Sequence, residues 1–287
     1  MSLLTDVRAR PKLALGVIGG LAAFVVVALL VRAGVTESID TAGLRALATL
    51  HGSVLDPIMV GISELGVADI LGFFSMFPAG FLWAMGNRRA AVFVAAGYLA
   101  AAIASDAVKA AVVRPRPPAI YQIPLKMPET EDLIWAGLAV VLVIALWRTR
   151  WRWGAVIGAV LFAITIWYDP TPLSTAGLDS FPSGHAFRSI VLIGSLLIAV
   201  PWRPSRRVVA ALAAILLAIG VSRVYLGEHH PSDVIAGWFG GLALVCTLAL
   251  LRIFRVRDAV APVQSARQES AGHELESPGR DVATGRM

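Results

Sequence analysis

Cysteine is almost missing from this chain of 287 residues: Cys246 is the only one, and it lies inside an apolar run. An intrachain disulfide and a cysteine metal cluster are both excluded. Charge is scarce too. Asp, Glu, Lys and Arg make up 15% of the residues, against about 25% in an ordinary soluble domain. There is no Gly-rich nucleotide loop, no zinc-ligand spacing and no internal repeat. A soluble enzyme, a disordered polypeptide and a disulfide-rich secreted module all fit poorly. What is abundant is apolar: 57% of the residues are hydrophobic and the mean hydropathy is +0.74. That excess implies an all-α, polytopic bundle of membrane helices.

A span needs about 20 mostly apolar residues. Residues 13–31 qualify as a retained first helix, since no small-residue cleavage site marks the end of the run at Arg32. Residues 36–66 contain Glu37, Asp40, Arg45, His51, Asp56 and Glu64 and are expected as short amphipathic helices at the interface. Further spans are expected near 67–86, 89–112, 133–149, 153–168, 186–201, 206–224 and 233–252, which gives eight. The transmembrane domain would cover 1–257. Residues 258–287 are rich in Ser, Gly, Glu, Gln and Arg and are expected as a disordered tail.

The net charge is +6, and it has an explanation that needs no nucleic acid. Basic clusters at Arg8–Lys12, Arg88–Arg89, Arg148–Arg152, Arg203–Arg207 and Arg252–Arg257 all fall on one side of an eight-span chain. The positive-inside rule makes that side the cytoplasm, with both termini there. Localisation in the cell membrane follows. Nothing in the sequence points to an obligate protein partner; membrane lipids are the expected surroundings.

Three polar clusters break the apolar pattern, and all fall on the opposite, outer side. They are Lys109 with Arg114-Pro115-Arg116-Pro117, then Phe181-Pro182-Ser183-Gly184-His185, then Ser222-Arg223 with His229-His230-Pro231-Ser232-Asp233. Ionisable groups at membrane depth are costly and mark function. Lys109, Arg116 and Arg223 suit phosphate oxygens. Pro182 fits a first helical turn, so Ser183, Gly184 and His185 would present backbone N–H groups to an anion. Two histidines supply a nucleophile and a proton donor. Asp233, four residues after His229, is placed to orient its imidazole and stabilise its cation.

These clusters resemble the three signature motifs of the type 2 phosphatidic acid phosphatase (PAP2) superfamily, which holds lipid phosphatases and vanadium haloperoxidases. Lys109, six residues, then Arg116-Pro117 matches the first. Pro182 to His185 matches Pro-Ser-Gly-His. Ser222-Arg223, His229 and Asp233 match the third. The resemblance implies a PAP2-like core of six helices, here with an extra pair near 133–168. It implies that His229 attacks phosphorus and forms a phosphohistidine, oriented by Asp233. His185 would protonate the leaving group and then activate water. Lys109, Arg116, Ser183, Gly184 and Arg223 would hold phosphoryl oxygens. No metal and no other cofactor are implied. The substrate would be a lipid phosphate monoester or diphosphate, such as undecaprenyl diphosphate, phosphatidylglycerol phosphate or phosphatidic acid.

Neighbouring residues divide between roles. His230 reads as a helix-start residue. Arg114 could touch lipid head groups or serve structure. Arg188, one turn after His185, could reach a second phosphate or pair with Asp106 or Asp179. Two other readings stay open: a transporter that recognises lipid phosphate or another anion, which leaves the paired histidines unexplained, and a vanadate-dependent haloperoxidase on the same fold.

Overall fold

The computed structural model describes residues 10–123, 131–167, 179–200 and 204–251. The expected tail from 258 onward, Arg8, Arg203 and the Arg252–Arg257 cluster lie outside them. Ten α-helices carry the described chain: α1 Pro11–Arg32, α2 Glu37–Ala48, α3 Leu55–Glu64, α4 Ala68–Ala84, α5 Arg88–Val112, α6 Glu131–Leu146, α7 Arg152–Trp167, α8 Gly184–Ala199, α9 Arg206–Tyr225 and α10 Pro231–Leu250. The all-helical class follows the hydropathy pattern.

The helix boundaries have local causes. Pro11 and Pro231 stand in the first turns of α1 and α10, where a missing N–H costs nothing. The Asn87 side chain accepts from the Ala90 N–H to cap α5, and Ser205 accepts from Val208 to cap α9. α5 ends at Val113, whose φ of 37° is left-handed. Pro115 and Pro117 then keep the chain out of helix.

Among the described residues, four helices are long and apolar enough to cross a membrane: α1, α5, α9 and α10. α3 and α4 together make a further candidate span, bent by 43° at the break between them. Three expected spans appear as 16-residue helices, α6, α7 and α8. At 1.5 Å per residue each is about 24 Å long, under the ~30 Å of a hydrocarbon core. Arg148-Thr149-Arg150 separates α6 from α7, and Ser183 is the N-cap of α8, with no capping bond from its side chain.

Small residues let the helices meet closely. A methyl on Gly237 would stand 2.7 Å from the Ser183 carbonyl oxygen, and one on Gly241 would stand 2.6 Å from that of Phe187. α10 therefore presses against the first turn of α8. The extra pair is also seated tightly: a methyl on Gly158 of α7 would lie 2.9 Å from the Phe77 Cα of α4. Around that seam Phe73 packs against Phe77, Phe162 and Trp135, with ring centroids 4.4, 5.5 and 5.4 Å away.

α2 covers the end of the bundle where α9 finishes and α8 and α10 begin. Its Leu44 is buried with Ala186, Val224 and Val234. The α2–α3 connection grips the end of α9: Tyr225 donates to Asp56 at 2.6 Å, and the His51 ring meets the Tyr225 carbonyl at 2.9 Å. At the far end of α5 and beside α7, Arg88, Arg150 and Arg152 stack over Trp83, Trp151 and Trp153. This is the aromatic and basic edging expected where helices leave a membrane.

Candidate active site

Lys109 is on the last turn of α5, His185 on the first turn of α8, Arg223 on the last turn of α9 and Asp233 on the first turn of α10. Because those helix ends share one end of the bundle, motifs more than a hundred residues apart converge there. Ser183 is the N-cap of α8 and is fully buried. Its N–H donates to the Asp233 carbonyl at 3.0 Å, tying the α8 start to α10. A Cβ on Gly184 would face Lys109 Nζ at 3.8 Å and the Arg188 guanidinium carbon at 3.9 Å. Two cations thus stand over the N-terminus of α8, which itself carries a partial positive charge.

His229 sits in the short connection from α9 to α10. Gly227 makes that connection possible, with φ at 69° and the Tyr121 backbone packed where a side chain would go. The Glu228 and His229 N–H groups fold back on the Arg223 carbonyl at 3.0 and 3.2 Å. The His229 ring is 3% exposed. Its Nδ1 lies 2.8 Å from the Ser180 carbonyl, an oxygen that can only accept, so Nδ1 carries the proton and Nε2 keeps its lone pair. Burial holds the His229 imidazole at about 4; the nearby Asp233 carboxylate opposes that shift, while Arg223 and Lys109 add to it. The ring is neutral at pH 7.

Asp233 stands beside His229 but spends its oxygens elsewhere. Its Oδ2 is 3.8 Å from His229 Nδ1, a charge contact longer than a hydrogen bond. That oxygen accepts from the His230 backbone N–H at 2.8 Å, and Oδ1 accepts from Arg114 at 2.6 Å. His230 is the N-cap of α10 and completes a capping box with Asp233. The Ser180 carbonyl, two residues before the second motif, takes the orienting bond that sequence reasoning expected Asp233 to take.

The cations come in pairs, each sharing one carboxylate. Arg116 and Arg223 both bond Glu228, with Arg223 at 3.3 Å. Arg223 also donates to Ser63 at 2.6 Å. Arg188 donates to both oxygens of Asp106, at 3.1 and 3.2 Å, and Lys109 lies 4.0 Å from the same carboxylate. Arg188 therefore does pair with Asp106, while its Nε has no partner among the described residues. Five buried polar atoms of this region have no hydrogen-bond partner among the described residues: Ser183 Oγ, His185 Nε2, and the Nε atoms of Arg116, Arg188 and Arg223. Buried donors are nearly always satisfied, so five together mark a site for a polar ligand. Phosphate, with its many acceptor oxygens, matches this donor set.

The break between α3 and α4 closes over the site. A methyl on Gly66 would lie 2.7 Å from the His185 ring. Glu228 and Ser63 were not singled out in the sequence. Glu228 had one signal, its place between Arg223 and His229. Ser63, far away in the chain, had none.

A family model for the PAP2 superfamily matches residues 90–257, more than half of the chain. The chain belongs to the PAP2 superfamily. Over 73 residues it is 40% identical to a lipid A 1-phosphatase from Rhizobium etli, a stretch that covers 25% of this chain and 29% of that protein. The chain thus spans less than a third of the length of this curated relative. It is also similar to the crystal structure of a transmembrane PAP2 type phosphatidylglycerolphosphate phosphatase from Bacillus subtilis. There the TM-score is 0.56 and the identity 18%, over 85% of this chain and 100% of that one. At that identity the likeness concerns the fold. In this PAP2 chain all three motifs lie inside the matched region, whereas α1 to α4 precede it. Ser63, Gly66 and Asp40, which touch the motifs from outside, belong to that preceding part.

Proposed function

We propose that the protein is an integral-membrane phosphatase that removes phosphate from a lipid through a phosphohistidine. The observation that carries this reading is the tautomer of His229. Its Nδ1 proton is committed to the Ser180 carbonyl, so Nε2 is left as a nucleophile, with the Arg223 and Lys109 cations near enough to act on the ring. In the first step Nε2 attacks phosphorus, the bond from phosphorus to the leaving oxygen breaks, and protonated His185 gives that oxygen its proton. In the second step His185 takes a proton from water, water oxygen attacks phosphorus, and the bond to Nε2 breaks. Lys109, Arg116, Arg223, the Ser183 hydroxyl and the Gly184 N–H hold the phosphoryl oxygens and offset their charge. Asp233, close to the ring, stabilises the cation formed on His229. These groups supply the electrostatic work without a metal.

The substrate is a lipid monophosphate or diphosphate whose tail stays in the bilayer. The guanidinium of Arg188 beside Lys109 supports a diphosphate, of the undecaprenyl diphosphate type, over phosphatidylglycerol phosphate or phosphatidic acid. The arginines at the opposite helix ends support a site on the outer face and termini in the cytoplasm. The test is phosphate release by purified protein in detergent from a panel of these lipids. Wild type is expected to release phosphate from at least one, and His229→Ala to lose about 10³-fold or more of that rate. Equal rates for the two proteins would overturn the nucleophile assignment.

A further inference from the structure

Asp40 lies on α2, in the part of the chain before the PAP2 match, yet it is 1% exposed and woven into the third motif. Its Oδ2 accepts from Arg114 at 2.7 Å and from the Ser232 hydroxyl at 2.7 Å. Its Oδ1 accepts from the Ser232 backbone N–H at 2.9 Å. Arg114 reaches onward, donating to the Ser232 hydroxyl at 2.8 Å and to Asp233 at 2.6 Å. One guanidinium is thus shared by two buried carboxylates, so the cluster keeps one net negative charge. Burial pushes the Asp40 carboxyl upward, but its bonds to Arg114 and Ser232 prevail and hold it below the usual range. Burial likewise disfavours the Arg114 charge, and the carboxylates of Asp233 and Asp40 more than restore it.

That charge balance matters for the chemistry. When Nε2 of His229 takes a phosphoryl group while Nδ1 keeps its proton, the ring becomes cationic. The carboxylate beside it is Asp233, at 3.8 Å. Without Asp40, Arg114 and Asp233 would form a neutral pair, and the ring would lose its counter-charge. We propose that Asp40 is a positioning residue for the phosphoryl-transfer step: it offsets Arg114, so that Asp233 still acts as an anion on His229. Arg114 is then a lock between two carboxylates and not a ligand of phosphate. This inference rests on the reading of His229 as the nucleophile.

The experiment compares wild type, Asp40→Asn, Asp40→Glu and the double variant Asp40→Asn/Arg114→Gln, as purified full-length protein in detergent. The substrate is a lipid phosphate that wild type hydrolyses. Asp40→Asn is expected to lower kcat about 10- to 100-fold, as loss of a partner behind a directly acting group commonly does, with KM changed less than about threefold. Asp40→Glu keeps the charge and most of kcat. The double variant removes one charge of each sign, returns the cluster to one net negative charge, and is expected to recover kcat to within about tenfold of wild type. A scaffold role alone gives the opposite order, with the double variant worse than the single one. That order, or an Asp40→Asn kcat within threefold of wild type, would overturn the proposal. If Asp40→Asn fails to fold, the double variant decides, because removing both partners of a buried pair is far milder than removing one; a folded but inactive double variant overturns it. If His229→Ala is as active as wild type, the nucleophile reading itself has failed, which the Asp40 series alone would not reveal.

Discussion

Gly184→Ala separates the fold from the chemistry. The added methyl would meet Lys109 Nζ at 3.8 Å and the Arg188 guanidinium carbon at 3.9 Å. Both are ordinary contact distances, so the protein itself has room for it. The backbone at Gly184 is not left-handed, so alanine takes the same conformation. Replacing glycine at a compatible position stabilises by about 0.4–1 kcal/mol, chiefly by restricting the unfolded chain. The space the methyl takes is the one the two cations face at the start of α8. A phosphoryl oxygen accepting from the backbone there needs to come within about 3 Å of the nitrogen. Loss of one such preorganised donor costs about 10²–10³ in rate, or about 2.7–4 kcal/mol. The expected outcome is an unchanged or slightly higher melting temperature in detergent with kcat/KM down about 10²-fold or more. The assay pairs thermal unfolding with phosphate release on the same preparations. An alanine variant within threefold of wild-type kcat/KM would refute the placement of phosphate over α8.

Two further outcomes follow from the same geometry. The His229 imidazole is held at about 4 from an ordinary 6.5, so the fold favours its neutral form. The stability this contributes is complete above about pH 6.5, fades as pH falls and is lost by about pH 4, amounting to about 3 kcal/mol. Denaturant unfolding at pH 7.5 and 4.5 should show wild type losing more stability than His229→Gln; equal losses would contradict the burial of a neutral ring. Gly80→Val should loosen the seat of the extra helix pair. Its Cβ would press on the Gly154 carbonyl and stand 2.5 Å from the Gly158 nitrogen. Forced packing of that kind costs about 1–3 kcal/mol, read as a lower melting temperature, and an unchanged one would mean α7 does not pack there.

Much of this was written in local sequence. Apolar runs marked the helices. Lys109, Arg116, His185, Arg223, His229 and Asp233 stood out because charge is rare in so apolar a chain. What spacing could not show was the partner of each group. Asp233 sits one helical turn from His229 and so looked like its hydrogen-bond partner. The actual bond goes to the backbone of Ser180, since a carbonyl leaves no trace in the residue type. Arg114 was open to touching a head group or serving structure, and Asp40, 74 positions earlier, settles it as structural by occupying it. α6, α7 and α8 fall within three residues of the expected spans at each end: 131–146 against 133–149, 152–167 against 153–168 and 184–199 against 186–201. The break between α3 and α4 falls where the expected interfacial segment 36–66 meets the span at 67, but the close approach of Gly66 to His185 was hidden, a contact made only in the folded bundle.

The most direct test of the account is to trap the phosphorylated protein. Purified wild type mixed with a radiolabelled lipid phosphate, quenched in alkali within one turnover, is expected to carry an acid-labile label on His229, bonded through Nε2. The label should vanish in His229→Ala. A label on Nδ1, a label that survives in His229→Ala, or rapid turnover with no labelled protein would contradict the central claim that Nε2 of His229 is the attacking atom.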